Sequence, residues 1–99
     1  MKVAFHPEAL AEAEEAVRYY EQRCEGLGAR FQEELENRVA VILADPFRWH
    51  LRPDGARRVN FGVFPHYISY VIRESTVWLV TVSHGHRMPG HWKKRLADL

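Results

Sequence analysis

Residues 77–92 read Val77-Trp78-Leu79-Val80-Thr81-Val82-Ser83-His84-Gly85-His86-Arg87-Met88-Pro89-Gly90-His91-Trp92, and two kinds of chemistry meet in that stretch. It opens on β-branched, aromatic and aliphatic side chains, which pack well on a pleated sheet. It then brings three histidines, an arginine and a second tryptophan. Imidazoles titrate near neutral pH, and a guanidinium can grip a phosphate or carboxylate with two parallel hydrogen bonds. A buried strand that delivers such groups to one rim of a sheet fixes a functional site on a rigid scaffold. The opposing reading is a solvated loop that happens to carry histidines, and composition alone leaves the two balanced.

Upstream, Tyr67 to Arg73 alternates, with Ile68, Tyr70 and Ile72 facing one way and Tyr67, Ser69 and Val71 the other. Glu74-Ser75 turns it back into Thr76–Ser83. Arg57 to Phe64 alternates as well, with Val59, Phe61 and Val63 on one face, until Pro65, which is tolerated at a strand end but not mid-sheet. Three strands with short links predict an antiparallel meander. Residues 46–56 carry two prolines and a Pro53-Asp54-Gly55 turn, the marks of an extended connection. Trp49, between Arg48 and Arg52, reads as an aromatic tucked against the core, with base stacking as the alternative.

The N-terminal half is helical. Lys2–His6 is a short strand, and Pro7 suits the first turn of a helix. Leu10, Ala13, Val17, Tyr20 and Cys24 then recur at three and four residues, leaving Glu8, Glu12, Glu15 and Arg18 for water. Gly26-Leu27-Gly28 stops that helix. Leu27, Phe31, Leu35, Val39 and Ile42, widened by Leu43, give a second one ending at Asp45-Pro46. Two helices joined by so short a turn predict a hairpin, and their apolar stripes need a sheet to cover. The order is β-α-α-β-β-β, an α+β fold with a helical hairpin packed on one face of a twisted antiparallel sheet. The first strand is expected at an edge, and the second face is expected to stay open, gathering cations where the last strand exits.

At 99 residues the chain is read as one domain, residues 1–99. Its 46% hydrophobic and 12% aromatic content excludes a disordered chain. A single cysteine, Cys24, offers no internal disulfide. No apolar run approaches the roughly 20 residues of a bilayer span, and no long apolar signal core opens the chain, so a cytoplasmic protein with no membrane role is expected. Residues 1–45 carry five Lys/Arg and ten acids, whereas residues 46–99 carry nine Lys/Arg and three acids. The basic half suggests a polyanion or an acidic partner.

Phe5-His6-Pro7-Glu8-Ala9, Tyr19-Tyr20-Glu21, Gly26-Leu27-Gly28-Ala29-Arg30-Phe31, Asp45-Pro46, Arg57-Arg58-Val59, Phe64-Pro65-His66-Tyr67-Ile68-Ser69-Tyr70 and the stretch from Val82 to Trp92 follow one another in an order that resembles the RelE/ParE toxin superfamily of bacterial type II toxin–antitoxin (plasmid stabilisation) systems, over roughly residues 3–95. The resemblance implies a growth-inhibiting toxin neutralised by a cognate antitoxin encoded beside it, with operator DNA reached only through that antitoxin. It leaves two targets: DNA gyrase in the ParE branch, and mRNA on the ribosome, cut without a metal, in the RelE branch. A member that has lost toxicity and acts only in operon repression is the third reading.

The RelE nuclease relies on mid-sheet lysines, an arginine at the end of the last strand and a tail tyrosine. This chain has no lysine between Lys2 and Lys93 and no tyrosine after Tyr70. Only the arginine has a counterpart, Arg87, with Arg57 and Arg58 as substitutes for the lysines, so the resemblance leans to the ParE branch. If the chain is a nuclease, His84, His86 and Arg87 are the catalytic candidates, since cleavage needs a base, an acid and cations on the phosphate. His91 is a further proton-transfer candidate. Arg57, Arg58, Arg87, His91, Trp92, Lys93, Lys94 and Arg95 are the candidate target or phosphate contacts. Tyr20, Trp49 and Trp78 are the candidate antitoxin contacts. His84-x-His86 is formally a metal-ligand pair, but no neighbouring Cys or carboxylate completes a shell, so neither metal nor cofactor is expected.

Overall fold

The computed structural model describes residues 1–99. Strand β1 (Lys2–Phe5) leads into helix α1 (Pro7–Arg23), which His6 caps: its Nδ1 accepts the Glu8 N–H at 3.1 Å. Helix α2 (Leu27–Ala44) begins after Gly26, held at a φ of 86°, where a residue with a side chain would be strained. Glu21, near the end of α1, accepts the Gly26 and Gly28 N–H groups at 3.0 Å each, which sets a carboxylate on the positive end of the α2 dipole. Gly28 is where the helices touch; a Cβ there would sit 2.6 Å from the Val17 carbonyl oxygen.

Strands β2 (Arg57–Asn60), β3 (His66–Arg73) and β4 (Thr76–His84) form the antiparallel meander. Glu74 and Ser75 make its tight turn with φ of 51° and 64°, the left-handed pair that matches strand twist. The strand order is β1-β4-β3-β2, so β1 takes an edge as expected. It runs parallel to β4, however, and the sheet is mixed where an antiparallel one was expected. Hairpin turns dictate direction only within the meander. β1 reaches the sheet through two helices, a crossover long enough to allow a parallel neighbour.

One face of the sheet carries the main core. Phe31, Leu35 and Ile42 of α2 and Ala13 and Ala16 of α1 pack against Val59, Ile68, Tyr70, Val77, Leu79 and Val82. The α2 stripe is the expected one. On α1 the fully buried positions are Ala9, Ala13 and Ala16, whereas Leu10 is 45% exposed and Cys24 lies in solvent. Three small side chains let α1 lie close against β4, and that proximity outweighs the burial of one leucine.

Two further expectations are corrected. β2 ends at Asn60 instead of running to Phe64, and Val63 is 70% exposed. The Glu34 carboxylate accepts the N–H groups of Gly62, Val63 and Phe64 at 3.1–3.2 Å, so these amides turn to α2 and leave the ladder. The second sheet face is not open. After β4 the chain folds back as a short 3-10 helix (Lys93–Asp98), placing Trp92, Leu96 and Leu99 on Ala56, Val71, Trp78 and Val80. Val71, Trp78 and Val80 are the apolar strand residues on the face without helices, and the tail covers them together with Ala56. No helix is long and apolar enough to cross a membrane.

Candidate functional site

A register shift in β4 decides which side chains reach the rim. Ser69 pairs with Thr81 but Tyr70 pairs with Leu79, so Val80 is an extra residue, a β-bulge. Leu79 and Val82, three apart, therefore both enter the main core, and His84 emerges on the helix side opposite His66. Strict alternation would have turned it to the tail side.

The result is a cleft of about 390 Å³ between α1 and the end of β4. Glu12, Glu15, Tyr19 and Tyr20 form the helical wall, and His66, Ser83, His84 and Arg87 form the strand wall. His66 sits edge-on to Phe31 with ring centres 4.9 Å apart and 5.3 Å from the His84 ring, and His84 lies 4.8 Å from His86. The His86 N–H donates to His84 Nδ1 at 3.1 Å, and the Arg87 N–H to the His84 carbonyl at 3.0 Å, so a tight turn holds the rim. Arg87 is exposed and has no carboxylate partner.

Burial, and to a lesser degree the neighbouring His84, pushes the His66 imidazole down to about 4 from its usual 6.5, and Nδ1 is buried without a hydrogen-bond partner. His66 is therefore neutral at physiological pH. The unfolded chain takes up a proton as pH falls through 6.5, while the folded chain refuses it until about 4. Stability is thus full above 6.5 and is progressively lost as pH drops toward 4. Urea unfolding at pH 7 and pH 5 checks this: His66→Phe should remove most of that loss. An undiminished loss in the variant would assign it to other groups.

Behind the cleft lies a cluster that couples α1, β4 and the tail. β1 stops beside Leu79, leaving the outer edge of β4 unpaired beyond it. Glu12 occupies that edge, accepting the Val82 N–H at 3.1 Å and the Thr81 hydroxyl at 2.8 Å. Arg95 completes it from the other side, donating to both Glu12 oxygens at 2.9 and 3.0 Å and to the Val80 carbonyl at 2.9 Å. Burial alone would raise the Glu12 carboxyl, but the bonds from Arg95, Thr81 and Val82 outweigh it and hold it below its usual 4.5. The same carboxylate keeps Arg95 fully charged. His91 closes the cluster: its Nδ1 donates to the Met88 carbonyl at 3.1 Å, and its Nε2 is hydrogen-bonded to Ser83 Oγ at 3.1 Å.

Several expected target contacts are thereby reassigned. Trp92 is 1% and Arg95 8% exposed, so neither reaches a ligand, and His91 is occupied in anchoring the tail. Lys93 and Lys94 stay in solvent. Arg57 and Arg58 lie outside the cleft, on the far edge strand, and do not join Arg87. Of the three residues read as antitoxin contacts, Tyr20 lines the cleft, Trp49 leans on the main core and Trp78 is half-covered by the tail; they share no surface. His84 and Arg87 line the cleft, and His86 stands in solvent beside them.

Sequence reading missed His66 and Glu12. His66 carried a signal, since it follows Pro65 at the start of an apolar strand. Glu12 carried none, because an acid within an acidic helix looks solvated. His6, Glu8 and Asp98 bring ligand atoms within 4.8 Å of one another. His6 Nδ1 accepts an amide proton and Nε2 meets Asp98 at 2.7 Å. The ring proton must sit on Nε2, so no lone pair is left for an ion, and the trio ties the tail to the N-terminus instead.

A family model described as "ParE toxin of type II toxin-antitoxin system, parDE" matches residues 3–89, and the chain belongs to this family of toxins. No curated protein sequence matches it. With the second sheet face covered, the toxin assignment rests on this family match and not on an open cationic surface.

Proposed function

We propose that this chain is a growth-inhibiting toxin, neutralised by a cognate antitoxin, that acts in the cytoplasm on DNA gyrase in the ParE manner. The observation that carries the choice of target is the charge of the cleft: Glu15 stands with a single unpaired guanidinium, Arg87, Glu12 is paired with Arg95, and His66 is kept neutral. Phosphodiester cleavage needs several cations on the developing phosphate charge. Arg95 is neutralised by Glu12, and Arg57 and Arg58 stand elsewhere, so that requirement goes unmet. A rim that binds a large protein needs no such cluster. The exposed turn of His86, Arg87 and Met88, the last 76% exposed, supplies a cation and apolar area for that purpose.

Induction of the chain without an antitoxin is the test. DNA breaks with an SOS response are expected. Codon-positioned mRNA cuts would replace gyrase with the ribosome and make His84, His86 and Arg87 the catalytic group. Unimpaired growth would leave only a repressor role.

A further inference from the structure

Away from the cleft, the outer edge of the sheet carries a second concentration of charge. Residues 46–58 hold four arginines, Arg48, Arg52, Arg57 and Arg58, against one acid, Asp54, whose carboxylate is already taken by the Ala56 N–H at 3.0 Å. None of the four has a carboxylate oxygen within 4.0 Å, although the molecule is rich in acids elsewhere. Three lie over aromatic rings instead: Arg48 over Trp49 at 5.3 Å, Arg57 over Phe47 at 5.2 Å and Arg58 over Tyr67 at 3.8 Å. Phe47 is 61% exposed, an unusual place for a phenyl ring that has a core available to it.

The segment is also ordered by its own bonds. Leu51 bridges to Arg57 on the outer edge of β2, the Arg52 N–H reaches the Ala56 carbonyl at 2.9 Å, and Arg57 Nε donates to the Trp49 carbonyl at 2.9 Å. The backbone that carries the four arginines is therefore fixed by its own bonds, with Arg57 and Arg58 on opposite faces of β2 and Arg48 and Arg52 exposed beside its edge.

From this arrangement we infer that the edge formed by residues 46–58 binds single-stranded nucleic acid, with the exposed Arg48 and Arg52 guanidiniums on phosphates and an unpaired base on the exposed Phe47 ring. Cations alone would suit an acidic polypeptide equally well. The exposed Phe47 ring beside the cations distinguishes the two, because every base has a flat face to stack and a carboxylate has none. The inference depends on neither the family nor the gyrase reading, and this edge shares no residue with the cleft.

Fluorescence anisotropy with labelled 20-nucleotide oligothymidine and oligouridine, over a series of NaCl concentrations, tests the inference. Arg48→Ala/Arg52→Ala should weaken binding about tenfold or more at low salt and reduce the slope of log Kd against log[NaCl] by roughly 1.4, about 0.7 for each phosphate that no longer meets a guanidinium. Phe47→Ala should weaken it about fivefold or more with the slope unchanged. All three positions are exposed, so the variants should keep the wild-type circular dichroism. Arg18→Ala/Arg30→Ala, which removes two exposed helical cations, is the control and should change binding by less than about twofold. The inference is overturned by no binding to either oligonucleotide, by an equal effect of the control pair, by a duplex bound as tightly and indifferent to Phe47→Ala, or by a polyglutamate 20-mer that binds in preference.

Discussion

Arg95→Ala is expected to cost about 3–5 kcal/mol of stability, the usual consequence of removing one partner from a buried ion pair. The variant leaves the Glu12 carboxylate at the β4 edge without its cation and the Val80 carbonyl without its donor. In a chain of this size the loss should lower the melting temperature by more than about 12 °C. The tail is the first element to detach, since Arg95 is its one buried charge, and Trp92 fluorescence should shift to the red as the ring enters water. Arg95→Lys should restore little, because an ammonium cannot span both carboxylate oxygens.

The pH dependence has a definite sign. The folded Glu12 carboxyl lies below its usual 4.5, so the stability it supplies is present above that value and fades as pH falls through the folded one. The gap between wild type and Arg95→Ala should accordingly narrow in acid. A cost under about 1 kcal/mol at neutral pH would place the pair with ordinary surface ion pairs and leave the tail held by its apolar packing alone.

Arg87→Ala is expected to abolish growth inhibition on induction while leaving antitoxin affinity within about tenfold, or 1.4 kcal/mol. The guanidinium is exposed and unpaired, so its loss should not disturb the fold, and circular dichroism and melting temperature should match wild type. Colony counts after induction read the toxicity, and calorimetry with the antitoxin reads the affinity. Binding lost together with toxicity would make Arg87 an antitoxin contact. Full toxicity in the variant would move the target surface away from the β4 rim.

The helices and the meander were legible because each rests on a local period. Phe31, Leu35 and Ile42 mark the α2 stripe, and Ile68, Tyr70 and Ile72 mark one face of β3. The failures come from long-range partners or a shift of strand register, neither of which a local pattern encodes. Glu34 draws three amides out of the expected ladder thirty residues away, Glu12 leaves water for Arg95, and Val80 inserts into β4 and turns His84 toward the helices.

The sequence by itself determined the element order, the α2 core stripe, the turn at Glu74-Ser75 and the likeness to a toxin family, because periodicity, turn chemistry and motif order are properties of neighbouring residues. Only the tertiary structure decided that β1 runs parallel, that the tail closes the second face with Trp92 and Arg95, and that His66, His84 and Arg87 share a cleft with two carboxylates. The reason is physical: an unpaired strand edge and an apolar sheet face must each find a partner, and the groups that satisfy them, Glu12, Arg95 and Trp92, come from opposite ends of the chain.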